Sequence, residues 1–200
     1  MKYIPFTLIY SRLAIGIAII FLSYYQINNY PLIAIVLLVI GLLTDIFDGI
    51  IARRLNISSQ RLRRMDSTVD QVFFISFGIA TYLQCPAFFK MNAAKLVILI
   101  SVEALTYVVC FLKFKKEIAT HTIGAKIWTL LMVSVFIEVI CRCQSSVLFS
   151  FFFWLGIVTR AEIIAIVLIL KSWTNDVPTF YHSIKLRQGK DIKRNKLFNG

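Results

Sequence analysis

Acidic residues are scarce in this chain: ten Asp and Glu stand against 22 Lys and Arg among 200 residues, and charge of either sign occupies only 16% of positions. A soluble domain carries about a quarter, so an ordinary water-facing surface cannot be assembled from this composition. The four cysteines, Cys85, Cys110, Cys141 and Cys143, show no zinc-ligand spacing and lie in or at the ends of apolar segments. That pattern excludes a zinc module and reads as buried free thiols. A small-x-small cleavage pattern is also missing around the first apolar stretch, from about Phe6 to Tyr25, which contains Arg12. The stretch therefore reads as a retained helix rather than a secretory leader.

What is abundant is hydrophobic sequence, 58% of the chain. Apolar runs approach the roughly 20 residues that a helix rising about 1.5 Å per residue needs to cross a bilayer core. Their positions predict an all-α polytopic membrane protein of one domain, with six transmembrane helices at about 6 to 25, 31 to 53, 67 to 89, 93 to 114, 124 to 142 and 147 to 171, followed by a basic tail to residue 200. A net charge of +12 would suggest nucleic acid as a partner of a soluble protein. Here the basic residues lie between and after the spans, where membrane topology and anionic lipid account for them, so no nucleic-acid partner is expected.

The links at Asn28 to Pro31, Pro86 to Asn92 and Gln144 to Ser146 carry few charges, whereas the alternate ones hold Arg53, Arg54, Arg61, Arg63 and Arg64, then Lys113, Lys115 and Lys116. The excess of Lys and Arg places the second set, both termini and the tail in the cytoplasm. Asp45 and Asp48 then fall near the cytoplasmic end of the second span, and Asp66 and Asp70 at the start of the third.

Those four aspartates lie within the segment DIFDGIIARRLNISSQRLRRMDSTVD, residues 45 to 70. On helices, spacings of three and four put each pair on one face, and a turn between the spans makes the two helices antiparallel neighbours. Four converging carboxylates near a membrane repel one another strongly. Either nearby arginines such as Arg53 compensate them through salt bridges, or metal ions do. Hard divalent cations prefer oxygen ligands, and a carboxylate cluster of this kind suits one or two Mg²⁺ or Mn²⁺ ions handling phosphate. Gly49 and Ala52 allow close approach of a ligand, and Arg53 is placed to hold a phosphate.

This segment resembles the signature of the CDP-alcohol phosphotransferases, DxxDGxxAR followed by eight residues, G, three residues, D, three residues and D. Here it reads Asp45, Asp48, Gly49, Ala52, Arg53, Leu62, Asp66 and Asp70, every interval matching and Leu62 standing in place of glycine. The opening PFTLIYSRL is similar to the family's PNxLTxxR, with Phe6 replacing asparagine. The resemblance implies a six-helix fold, Asp45, Asp48 and Asp66 as metal ligands, Asp70 as both ligand and general base, and Gly49, Ala52 and Arg53 as the CDP site. It implies phosphatidyl transfer from a CDP-linked lipid, CDP-diacylglycerol above all, to an alcohol acceptor with release of CMP. A homodimer in a bacterial-type cytoplasmic membrane, with its site on the cytoplasmic side, is also implied.

For the acceptor, glycerol 3-phosphate is the first expectation and inositol or its phosphate the second. The stretch HTIGAKIWT, residues 121 to 129, is loosely similar to the family's GKxKT, with Lys126 matching the first lysine and Trp128 replacing the second. Lys126, Arg160 and His121 are the candidate acceptor-binding residues. Arg160 and Glu162 lie within the sixth span, where an ionisable group needs a polar partner; Arg160 either reaches acceptor phosphate or pairs with Glu103. Arg12 reads as an interfacial anchor or a contact to lipid or substrate. Two other readings of the segment stay open: a small cation transporter, and an inactive scaffold of the same fold, for which Leu62 is the hint.

Overall fold

A computed structural model describes residues 4–54, 60–116, 122–174, 177–190 and 192. Among them there is no strand, and the chain runs through α1 (Ile4–Tyr24), α2 (Tyr30–Arg54), α3 (Gln60–Gln84), α4 (Pro86–Met91), α5 (Ala93–Phe114), α6 (Ile123–Arg142), α7 (Val147–Ile169) and α8 (Phe180–Arg187). The protein is an all-helical membrane protein. Helices α1, α2, α5, α6 and α7 are long and apolar enough to cross a bilayer. Many of their large apolar side chains, Ile17, Phe21, Leu32 and Phe151 among them, point outward, as lipid-facing residues do.

The expected third span corresponds to α3, and both of its ends differ. It starts earlier, taking in Arg61, Arg63 and Arg64, so its first turns are polar. It stops at Gln84 rather than at 89 because Pro86 opens the short helix α4. A proline has no N–H to give to the preceding turn, and it is tolerated at the first position of a helix rather than inside one.

The chain divides into two compact units. The first contains the described residues of Met1–Lys90 together with Phe136–Gln144. Within it α1 packs against both α2 and α3. Ser23, near the end of α1, donates from Oγ to the Ala80 carbonyl at 2.7 Å and accepts at its own carbonyl from Gln84 Nε2 at 2.8 Å. Gly16 faces Ser76 and Phe73, so α1 and α3 run side by side in the same direction. Gly41 of α2 faces the ring of Phe73, which occupies the space a Cβ would take. Small residues at such crossings matter in lipid, where close packing rather than water exclusion holds helices together.

The reading of four free thiols is corrected in this unit. Cys85 and Cys143 form a disulfide, with Cα atoms 5.2 Å apart and a sequence separation of 58, while Cys110 is free and buried and Cys141 free and exposed. Cys143 follows α6 in a left-handed conformation, φ 52°, and its partner follows α3. Disulfide connectivity of this kind is not encoded in local spacing.

The second unit contains the described residues of Met91–Val135 and Ser145–Gly200. Here α5 packs on α7, and α8 docks on α7. Gly156 leaves room for Leu99 and Trp128, whose atoms come within 2.7 Å of where a Cβ would stand. The tail begins as a docked element rather than as solvated chain: Val177 is fully buried with Ile166 and Leu170, and Ser183 of α8 is fully buried. Glu162 Oε1 accepts from the Phe180 amide at 3.2 Å, satisfying a donor at the start of α8.

Candidate functional site

In the first unit the four aspartates converge. Asp45 and Asp48 lie on α2 and Asp66 and Asp70 on α3, and all four meet the guanidinium of Arg12 from α1. Arg12 Nη1 donates to Asp45 Oδ1 at 2.9 Å and also to Asp70 Oδ1, while Nη2 donates to Asp48 Oδ2 and to Asp66 Oδ1. The arginine is fully buried, and its Nε is a buried donor without a hydrogen-bond partner. Asp48 is buried as well, whereas Asp45, Asp66 and Asp70 each keep part of the side chain exposed.

The helical spacing explains the convergence. Three residues separate Asp45 from Asp48 and four separate Asp66 from Asp70, so each pair projects from one helix face. The C-terminal half of α2 and the first turns of α3 meet the same guanidinium, which sets the two pairs at one level. A single positive charge among four carboxylates leaves a formal charge of −3 if all are ionised, which favours a cation of higher charge.

The donor set fits a hard divalent cation. Asp45, Asp48 and Asp66 each present a carboxylate oxygen within 4.8 Å of the other two, close enough for one ion with oxygen ligands at about 2.0 to 2.6 Å. Asp70 belongs to the same cluster through Arg12. An aspartate cluster able to hold a metal ion is therefore present on helices α2 and α3.

Of the other residues singled out from sequence, Gly49 follows Asp48 on α2 and is partly buried. Ala52 and Arg53 belong to the last turn of α2, with side chains outside the described residues, and His121 lies outside them too. Lys126 stands early in α6, its amide bonded to the Thr122 carbonyl at 3.2 Å. Arg160 makes the expected pair with Glu103: Nε donates to Glu103 Oε2 at 2.5 Å, Nη1 to Thr159 Oγ1 at 3.1 Å, and the guanidinium stacks 3.8 Å from the Trp128 ring. Trp128 itself donates from Nε1 to the Phe152 carbonyl at 3.0 Å.

Leu62 is directed into the seam between α1 and α3, where it is buried with Ile9 and Val69 beside Leu13 and Met65. The central position of Arg12 is what sequence reasoning missed: it offered metal ions, or Arg53 and its neighbours, as the compensating charge and read Arg12 as an interfacial anchor or a contact to lipid or substrate. A signal was present, since an arginine inside an apolar helix requires an anionic or polar partner.

The sequence pattern of CDP-alcohol phosphatidyltransferases matches residues 2–170 of the chain. No curated protein and no solved structure matches it significantly.

Proposed function

The chain belongs to the CDP-alcohol phosphatidyltransferase family, and from that premise we propose that it transfers a phosphatidyl group from CDP-diacylglycerol to glycerol 3-phosphate, releasing CMP, in phospholipid synthesis. The observation that carries this reading is the convergence of Asp45, Asp48, Asp66 and Asp70 on one point at the end of apolar helices. A lipid substrate reaches such a site from the bilayer and a polar acceptor reaches it from water.

In this reading Asp45, Asp48, Asp66 and Asp70 hold Mg²⁺ or Mn²⁺. When bound, the metal polarises phosphate oxygens and offsets the charge that develops during displacement. Gly49, Ala52 and Arg53 bind the CDP moiety, the glycine by letting the backbone approach and the arginine by its planar donors. Asp70 takes the proton from the acceptor hydroxyl as its oxygen bonds to the lipid-side phosphorus. The bond from that phosphorus to the CMP oxygen breaks, and CMP leaves with the electron pair.

The aspartate end is assigned to the cytoplasm. Lys and Arg concentrate in the links on that side, and the Cys85–Cys143 disulfide follows the opposite end of α3, some 19 residues or ~28 Å of helix beyond Asp66. Disulfides persist in oxidising compartments, so the two ends of α3 are expected to face different redox environments. A homodimer in a bacterial-type cytoplasmic membrane completes the proposal.

Lys126, Arg160 and His121 are proposed to hold the acceptor. One observation favours inositol as a second acceptor: Arg160 is already neutralised by Glu103, which leaves less charge for a phosphate and a polar pair suited to hydroxyls. Purified full-length protein with CDP-diacylglycerol, Mn²⁺ and labelled acceptors separates the two. Label from glycerol 3-phosphate should enter lipid; label from inositol alone would transfer the assignment to the second acceptor, and label from neither would refute both.

A further inference from the structure

The guanidinium of Arg12 holds one oxygen of each of the four aspartates, and a cation on this cluster would draw on the same carboxylates, those of Asp45, Asp48 and Asp66 among them. We propose that Arg12 is a resident counter-ion that keeps the aspartates assembled without metal and withdraws when divalent cations fill the site. The inference rests on the metal-site reading above and adds a regulated exchange to it.

Two arguments support exchange over coexistence. The first is space: the two Nη atoms lie among Asp45 Oδ1, Asp48 Oδ2, Asp66 Oδ1 and Asp70 Oδ1, so an ion bonded to several of these oxygens overlaps the guanidinium. The second is charge. Two divalent cations balance four carboxylates, and a buried guanidinium added to them would be a desolvated surplus charge, which is costly. The one unpartnered donor, Nε, fits a temporary occupant better than a permanent structural salt bridge, in which buried donors are normally all used.

Exchange makes metal affinity depend on the fraction of molecules in which Arg12 has withdrawn, because apparent affinity falls in proportion to the competent population. Arg12 is thus a positioning residue: it holds the ligands in place and sets the metal concentration at which the site fills. A permanent strut predicts the opposite for its removal, since scattered aspartates bind metal more weakly.

The test uses full-length protein in detergent and Mn²⁺ as probe, with free ion followed by its electron paramagnetic resonance signal. Arg12→Gln should bind Mn²⁺ about tenfold or more tightly than the wild type, with Arg12→Lys between them. In EDTA the Gln variant should melt below the wild type, and Mn²⁺ should restore it. Unchanged or weaker Mn²⁺ binding by Arg12→Gln, with the wild type binding normally, overturns the exchange alone. No Mn²⁺ binding by either protein refutes the metal-site reading and the exchange with it. Should Arg12→Gln not fold, phenylglyoxal labelling of the wild type decides: Arg12 should be shielded in EDTA and reactive in Mn²⁺, and equal labelling in both overturns the proposal.

Discussion

Leu62 of α3 packs against Ile9 of α1, one helical turn before the Arg12 that gathers the aspartates. The side chain occupying the family's glycine position therefore contributes to the seam between the two helices. Leu62→Gly should remove that packing and add the conformational freedom of a helical glycine, costing on the order of 2 to 5 kcal/mol. A fall in Tm without a gain in CDP-lipid affinity is the expected result; tighter binding with unchanged Tm would mean that Leu62 obstructs the nucleotide.

Gly41 gives a second packing test. A Cβ at this position would overlap the Phe73 ring, which is almost fully buried, so the ring cannot swing out of the way. Gly41→Ala should destabilise by about 1 to 3 kcal/mol. Adding Phe73→Leu should recover part of that loss, a non-additivity that only direct contact produces. Independent effects of the two substitutions on Tm would contradict the packing.

The Cys85–Cys143 disulfide closes a long loop, 58 residues by sequence separation. Cys85→Ser or Cys143→Ser should lower stability by about 2 to 4 kcal/mol, and reductant should lower the wild-type Tm while leaving either variant unchanged. Thiol-specific labelling of wild-type protein before reduction should reach Cys141, which is exposed, and spare Cys85 and Cys143.

Asp70→Asn separates the proposed base from the scaffold. The amide keeps the shape of the carboxylate but cannot accept the acceptor proton, so turnover should fall by about 10² to 10⁴ while helical content is retained. Near-normal turnover in this variant would remove Asp70 from the role of base.

The aspartates were legible in the sequence because their relation is local: spacings of three and four on helices determine which side chains share a face. Five of the six expected spans were legible from apolar length, whereas α3, expected as the third, opens with polar turns. Arg12 was read as an anchor or a lipid or substrate contact rather than as the centre of the cluster, because its partners lie 33 to 58 residues away and an arginine in an apolar helix declares the need for a partner without identifying it. The same distance problem hid the Cys85–Cys143 pair. The end of α3 was misread since apolar sequence continues through Phe88 and Phe89, although Pro86 interrupts the hydrogen-bond ladder there. Docking of α8 rests on the tertiary burial of Val177 and Ser183, which the charge of the tail concealed.

The proposed transfer stands or falls on release of CMP. Purified full-length protein, given CDP-diacylglycerol, glycerol 3-phosphate and Mg²⁺ or Mn²⁺, is predicted to release CMP in step with consumption of the acceptor, and to stop when EDTA removes the metal. No CMP with glycerol 3-phosphate, inositol or inositol phosphate, under conditions where another member of the family is active, would mean that the protein does not catalyse this transfer.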